Sequence, residues 1–365
     1  MPRCRAYHRA TRPSISGTNL NRFPLMASSP GRQTFLEVRD GGWGRFAIGR
    51  EIRILAQRVS GPYHGETVRR SPTVTASTPT GTTAAITRKP LDEEIDIHGL
   101  THIGKVRRSN QDHFLVASLH KRIEVHCTSL PEVSQFKRED NRLAFLAMVA
   151  DGVGGSADGG LASRLALEHV TQYVTRSLQC YYGADPRDPS FVDVLQQAAL
   201  QTHAEVRQHA AHDPDLMGMA TTLTVLIGVW PWGYIVQVGD SRYYVFREGE
   251  LRRITRDQTV AQDLVDQGAL TQTDASRSRL TNVLSSAIGG QNAAPVVTRL
   301  QTDWRSVHLL CTDGLTKHVS DERIRERLAT MTSARQVCEA LLQDALEDGG
   351  TDNITIIVGR AVQKT

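Results

Sequence analysis

Three apolar, β-rich runs in this chain each stop at an aspartate next to a glycine: Phe145 to Asp151-Gly152, Ile235 to Gly239-Asp240, and Val307 to Asp313-Gly314. A fourth aspartate, Asp352, immediately precedes another such run, Asn353 to Val358. Strands that carry carboxylates to their ends, with glycine letting the backbone turn or approach closely, build an anionic pocket on a rigid sheet. Two carboxylates about 4 Å apart repel by roughly 4 kcal/mol at an effective dielectric near 20. Such a cluster makes sense mainly when divalent cations neutralise it, and oxygen-only ligands suit hard Mg2+ or Mn2+ rather than zinc. The five cysteines (Cys4, Cys127, Cys180, Cys311, Cys338) are scattered without a CxxC pair. That argues against a zinc site and a disulfide framework, and favours a reducing, cytoplasmic compartment.

The elements that must hold these residues follow from periodicity. Residues 95–102 and 114–118 read as strands flanking the loop from Gly104 to Asp112, and 143–150 as the strand that ends at Asp151. Between them, 119–142 reads as a long polar connection. Residues 160–182 place Leu161, Leu165, Leu167, Val170, Val174 and Leu178 on one helical face, and 191–211 read as a second helix. Leu216 to Gly239 carries no charge, but Trp230-Pro-Trp-Gly233 reads as a turn. Strands over 220–229 and 234–246 therefore form a hairpin rather than a membrane span. A short helix over 257–268, a polar flexible stretch to Arg279, strands near 295–300 and 306–312, and helices over 321–330 and 334–347 follow. The last helix opens with Ser333-x-x-Gln336, a capping box, and stops at Gly349-Gly350. A closing strand covers 353–361. Strands in groups interrupted by helix pairs indicate an α+β arrangement, not alternating βαβ units.

The composition, 39% hydrophobic and 22% charged, suffices for a sizeable core. The net charge of +4 hides an asymmetry. Residues 1–90 hold 15 of the 43 Lys+Arg and 4 of the 39 Asp+Glu, leaving 28 basic and 35 acidic residues in 91–365. The basic excess belongs to the leader and gives no ground for nucleic-acid binding by the rest. Residues 1–90 are rich in Arg, Ser, Thr, Pro and Gly, lack periodicity and read as a disordered basic tail. A start at Met26, a transit peptide and a partner-binding arm are the other readings of this region. No apolar signal-peptide core is read at the N-terminus.

Arg107 precedes Asp112 by five residues, and a guanidinium suits bidentate recognition of phosphate oxygens. Singly, that arginine reads as a surface residue and each Asp-Gly as a common turn. Their joint order changes the odds. The chain contains, in this order, Val106-Arg-Arg-Ser-Asn-Gln-Asp112, Val149-Ala-Asp-Gly-Val-Gly-Gly155, Gly218-Met-Ala-Thr-Thr222 and Val238-Gly-Asp-Ser-Arg242. Thr255-Arg-Asp257, Leu284-Ser-Ser-Ala-Ile-Gly-Gly290, Thr312-Asp-Gly314 and Gly349-Gly-Thr-Asp-Asn353 follow. Over about residues 96–360 the chain resembles the protein phosphatase 2C-like (PPM) metal-dependent Ser/Thr phosphatases, especially the bacterial members.

That resemblance implies a four-layer α-β-β-α sandwich over 91–365, two antiparallel sheets flanked by helix pairs, with metals in a cleft at one end. It implies that Asp151 bridges two Mg2+ or Mn2+ ions and that the Gly152 carbonyl binds one of them. Asp313 and Asp352 would hold the other, with Asp112 in the same cluster directly or through water. Asp240 and Asp313 match residues used for a weaker third ion. Arg107 would hold the substrate phosphate, and about 261–286 would form the mobile flap. The implied activity is hydrolysis of phosphoserine and phosphothreonine in proteins by a bridging water that two metal ions activate. The implied partners are phosphorylated proteins, among them a Ser/Thr protein kinase and its substrates, met by a monomeric chain.

Two departures stand out. Gln111 replaces a glutamate of many relatives, and Val153 replaces a histidine proposed as general acid in some. His102 and His318 lie near in motif terms, although a lone histidine is more often structural. The rival reading is a non-catalytic phosphatase-fold protein that binds a phosphoprotein or regulates a kinase. Such a protein would usually have lost one or more metal aspartates; all five and Arg107 are present, which favours catalysis.

Overall fold

Among the described residues, the apolar runs become eleven strands in two antiparallel sheets. The computed structural model describes residues 88–121, 141–153, 158–176 and 189–364, all within a unit spanning Pro79–Thr365. Of the stretches read as a disordered tail (1–90) and as a polar connection (119–142), residues 1–87 and 122–140 lie outside the described residues. One sheet has the order β1 (Ile95–His102), β11 (Ile354–Ala361), β10 (Val307–Cys311), β7 (Arg242–Arg247), β8 (Glu250–Arg253). The other runs β2 (Asp112–Lys121), β3 (Asn141–Val153), β5 (Leu223–Val229), β6 (Trp232–Val238), β9 (Val296–Gln301), with β4 (Ala220–Thr221) paired to β3.

Strand alternation explains why the central strands read as unbroken apolar runs. On β3, Leu146, Met148 and Ala150 pack under helices while Ala147 and Val149 face the opposite sheet. On β11, Ile354, Ile356 and Val358 face helices and Ile357 faces the other sheet. Helices α1 (Asp158–Arg176) and α2 (Pro189–Ala210) cover the second sheet through Leu165, Val170, Phe191, Leu195 and Val206. Helices α6 (Asp321–Ala329) and α7 (Ala334–Glu347) cover the first through Ile324, Leu328, Val337 and Leu341. The four-layer sandwich is the architecture expected. Ser333 caps α7 by accepting from the Gln336 N–H at 3.2 Å, and Gly349 and Gly350 end the turn beyond it with φ of 124° and 53°.

The sequence reading departs from the structure where the chain changes sheet. The run 234–246 is two strands, because Gly239 takes φ 105° and breaks the pairing. β6 stays with β5 while β7 crosses to the other sheet. The stretch before Arg279 is also more ordered than its polarity suggests. It holds α3 (Val260–Asp266) and α4 (Gln272–Arg277), capped by the Thr259 and Thr271 side chains. The base of this segment is closed by Val260 N–H to Val283 O at 2.8 Å and Ser285 N–H to Gln258 O at 3.0 Å. A four-residue helix, α5 (Asp313–Thr316), lies where only a strand end was read.

Candidate metal centre

Asp112 opens β2 and Asp151 lies near the end of β3, and the two are register partners. Directly opposed side chains on adjacent antiparallel strands have Cβ atoms about 4.5–5.5 Å apart, and like charges there repel. Asp112 is buried at 3% exposure. Its Oδ2 accepts from the hydroxyls of Thr312 at 2.8 Å and Thr355 at 2.7 Å, while Oδ1 is buried with no partner. The Asp151 backbone is fixed on both sides. Its N–H donates to Thr222 Oγ1 at 3.0 Å, and its carbonyl accepts from Thr222 N at 2.9 Å and Thr221 Oγ1 at 2.8 Å. Gly152 must be glycine because a methyl there would overlap the Gly159 backbone in the first turn of α1.

The other acids come from the first sheet and the turn between sheets. Asp313 follows β10 and opens α5; a side chain on Gly314 would overlap the Asn353 carbonyl, which draws the β10 end against the β11 start. Asp313 Oδ1 is also buried without a partner. Asp352 precedes β11 and receives a two-pronged guanidinium from Arg107, Nε to Oδ1 at 2.7 Å and Nη2 to Oδ2 at 2.8 Å. Asp240 follows Gly239 in the crossing between β6 and β7.

These carboxylates feel one another. Burial, and then the charges of Asp112, Asp313, Asp240 and Asp352, hold the Asp151 carboxyl well above the ordinary range. Asp112 is pushed up to about 7 by burial, with Asp313 and Asp352 adding to the rise against the two threonine hydroxyls. Asp240 is pushed up to about 8 by burial and by Asp313 and Asp257. Asp352 goes the other way: burial raises it, but the Arg107 and Lys317 contacts outweigh that and lower it. Lys317 Nζ lies 2.6 Å from Asp313 Oδ2 and 2.8 Å from Asp352 Oδ2.

Among the described residues, no three His, Cys, Asp or Glu side chains form a ready-made metal cage. The set nevertheless fits hard divalent cations. The donors are all oxygen, two carboxylate oxygens are buried without partners, and the charges that compensate the cluster are side-chain cations drawn into it. An apolar cavity of about 110 Å³ opens between the sheets near Phe145, Trp230 and Trp232, at the other end of β3 from Asp151. Its lining includes none of the aspartates named above.

Arg107, Asp112, Asp151, Asp240, Asp313 and Asp352 are thus brought to one pole. Gly154 and Gly155 of the motif lie outside the described residues. Gln111 is buried, with its N–H donating to Asn353 Oδ1 at 2.9 Å and its carbonyl accepting from Ser163 Oγ at 2.6 Å. Val153 is 39% exposed. Neither neighbouring histidine is poised for acid catalysis. His102 Nδ1 accepts from the Gly104 N–H at 2.9 Å, and His318 bridges Asp348 and Thr351, bracing the turn before Asp352. Three supporting groups escaped sequence reasoning: Thr355, Asn353 as a loop clasp on Ile103 O and Ser109 O, and Lys317. For Lys317 the signal was its four-residue spacing from Asp313.

A sandwich with an oxygen-donor acidic pole on its strand ends defines a divalent-cation site. The sequence profile of protein phosphatase 2C matches residues 133–348, and the chain belongs to that family. A serine/threonine protein phosphatase, PstP, of Mycobacterium tuberculosis is 34% identical over 219 residues, 60% of this chain and 41% of that relative; the match spans less than half the relative's length. The crystal structure of the M. tuberculosis serine/threonine phosphatase PstP/Ppp superposes with a TM-score of 0.59 at 28% identity, covering 74% of this chain and 99% of that one. A PstP catalytic domain solved with two manganese ions is similar at 29% identity and a TM-score of 0.57, over 74% and 99% of the two chains.

Proposed function

We propose that this chain is a metal-dependent protein phosphatase acting on phosphoserine and phosphothreonine, with its catalytic domain over 91–365 and Mg2+ or Mn2+ as cofactor. The observation that carries this reading is the cluster of mutually repelling aspartates, Asp112 buried and the others half-buried, with partnerless oxygens on Asp112 and Asp313. Asp151 would serve both of two ions and the Gly152 carbonyl one of them, with Asp112 in the same cluster. Asp313 and Asp352 would hold the other, and Asp240 with Asp313 a weaker third. Two divalent ions, when bound, supply Lewis acidity and neutralise charge on phosphoryl oxygens and the attacking water.

The chain's own part is orientation. Thr312 and Thr355 fix one oxygen of Asp112, which leaves the other free to point at a ligand. Thr221 and Thr222 lock the Asp151 backbone, and the Asn353 clasp ties the Arg107 loop to the Asp352 turn. Arg107, its side chain 46% exposed at the rim, can move its fork from Asp352 to the substrate phosphate, which offers the same bidentate geometry. Phosphorylated proteins are the substrates that fit this site chemistry, and a Ser/Thr kinase and its substrates are the partners that the family resemblance implies. A cytoplasmic, monomeric protein remains the reading from cysteine usage and the family resemblance. No helix among the described residues is long and apolar enough to cross a membrane.

The test is direct. The full chain with Mn2+ should hydrolyse p-nitrophenyl phosphate and release phosphate from phosphoserine and phosphothreonine peptides, and EDTA should abolish both. Turnover that EDTA leaves untouched, or none with any divalent ion, would end this reading.

A further inference from the structure

Lys317 sits at the C-cap of α5, one helical turn beyond Asp313, and its ammonium spans the Asp313 and Asp352 carboxylates at 2.6 and 2.8 Å. Its side chain is 32% exposed, and its flexible four-carbon stem allows the ammonium to reach water without backbone movement. Among the described residues, Asp112 and Asp151 have no such lysine. Within these residues the two halves of the acidic pole therefore differ: an ammonium spans the carboxylates of one and not those of the other.

We propose that Lys317 is a built-in competitor for the divalent ion at the Asp313–Asp352 pair, making that position bind metal more weakly and fill after the position at Asp112 and Asp151. The inference rests on the metal-dependent reading above and deepens it. An ammonium and a divalent ion cannot share the same carboxylate oxygens, since Mg2+ binds oxygen at about 2.0–2.1 Å and like charges that close repel. Filling the pair requires the ammonium to swing out, breaking its two ion pairs, and the Arg107 fork to release Asp352, as the metal–carboxylate bonds form; no covalent bond changes. The exchange makes occupancy, and with it activity, respond to divalent-ion concentration over a range set by Lys317.

Mn2+ binding to the full chain, followed by water-proton relaxation, tests this without reference to turnover. The wild type should show a tight and a weak class of site. Lys317→Met keeps the stem and removes the charge, and should tighten the weak class by about tenfold or more; Lys317→Arg should not. A second measurement needs no variant: acetylation of Lys317 by an N-hydroxysuccinimide ester, read by mass spectrometry, should rise when Mn2+ is added, because the displaced ammonium becomes accessible. Equal Mn2+ binding by wild type and a folded Lys317→Met overturns this inference and leaves the metal reading standing. Should Lys317→Met fail to fold, Mn2+-independent acetylation of the wild type overturns it instead. Absence of Mn2+ binding to the wild type removes both.

Discussion

Opposed carboxylates on paired strands cost folding energy unless something cationic answers them, so the Asp112–Asp151 pair shows a site kept for binding rather than stability. Two outcomes follow for single residues. Asp151→Asn and Asp313→Asn should each lower Mn2+-dependent phosphatase activity by more than about a hundredfold. In EDTA Asp151→Asn should melt no lower than wild type, because it relieves repulsion at nearly constant shape, whereas Asp313→Asn also gives up the Lys317 ion pair. A fall in both activity and EDTA-state melting temperature for Asp151→Asn would make that aspartate structural. Arg107 lies at the rim and can bind phosphate in the ground state, so Arg107→Ala should mainly raise KM for a phosphopeptide. A lost charged hydrogen-bonding pair is worth about 1.5–3 kcal/mol, or roughly ten- to a hundredfold. A loss confined to kcat would place its contact in the transition state alone.

Close approach between elements aims these side chains. Gly314 lies against the Asn353 carbonyl and so draws the Asp313 and Asp352 turns together. Gly314→Ala must push β10 away from β11, at a cost of about 1–3 kcal/mol or more, with loss of Mn2+ affinity. Gly218, at φ 89° with nothing within 4 Å of an added Cβ, is the control: Gly218→Ala meets only backbone strain of about 1–2 kcal/mol. Melting and Mn2+ titration of both variants separate the effects, and equal metal affinity in Gly314→Ala would contradict the account. The same elements show what could be read in advance. Helices with one apolar face and a cap, such as α7 behind Ser333, were legible because the signals are local. The change of sheet at Gly239 was not, since Tyr243 to Phe246 resume the strand pattern after Gly239-Asp-Ser-Arg242 and nothing local says that they pair in the other sheet. Asp112, Asp151, Asp313 and Asp352 were legible as strand-end acids. The partners of Asp112 and Lys317 were not, because Thr355 and Asp352 reach them only after β10 and β11 have paired.

Across the whole molecule, apolar contact between the two sheets forms one of the core layers, and among the described residues the titratable His308 and Tyr243 meet in it. His308, on β10, shares its face with Leu310 and joins Tyr243 through Nδ1 to the phenol oxygen at 2.7 Å. Burial lowers its pKa from 6.5 to about 4, only partly offset by Asp303. An unfolded chain takes up this proton near pH 6.5 and the folded one only near 4. Between those values the unfolded state binds more protons, so stability falls as pH drops and levels off below about 4. The shift corresponds to up to about 3 kcal/mol. His308→Gln loses the ring contact but also the titration. Its melting temperature should lie below that of wild type at pH 7, and the gap should close as pH falls toward 4.5. A gap constant across pH 7 to 4.5 would mean that His308 takes up its proton equally well in the folded sandwich, and that the sheets admit charge and water between them at that pole.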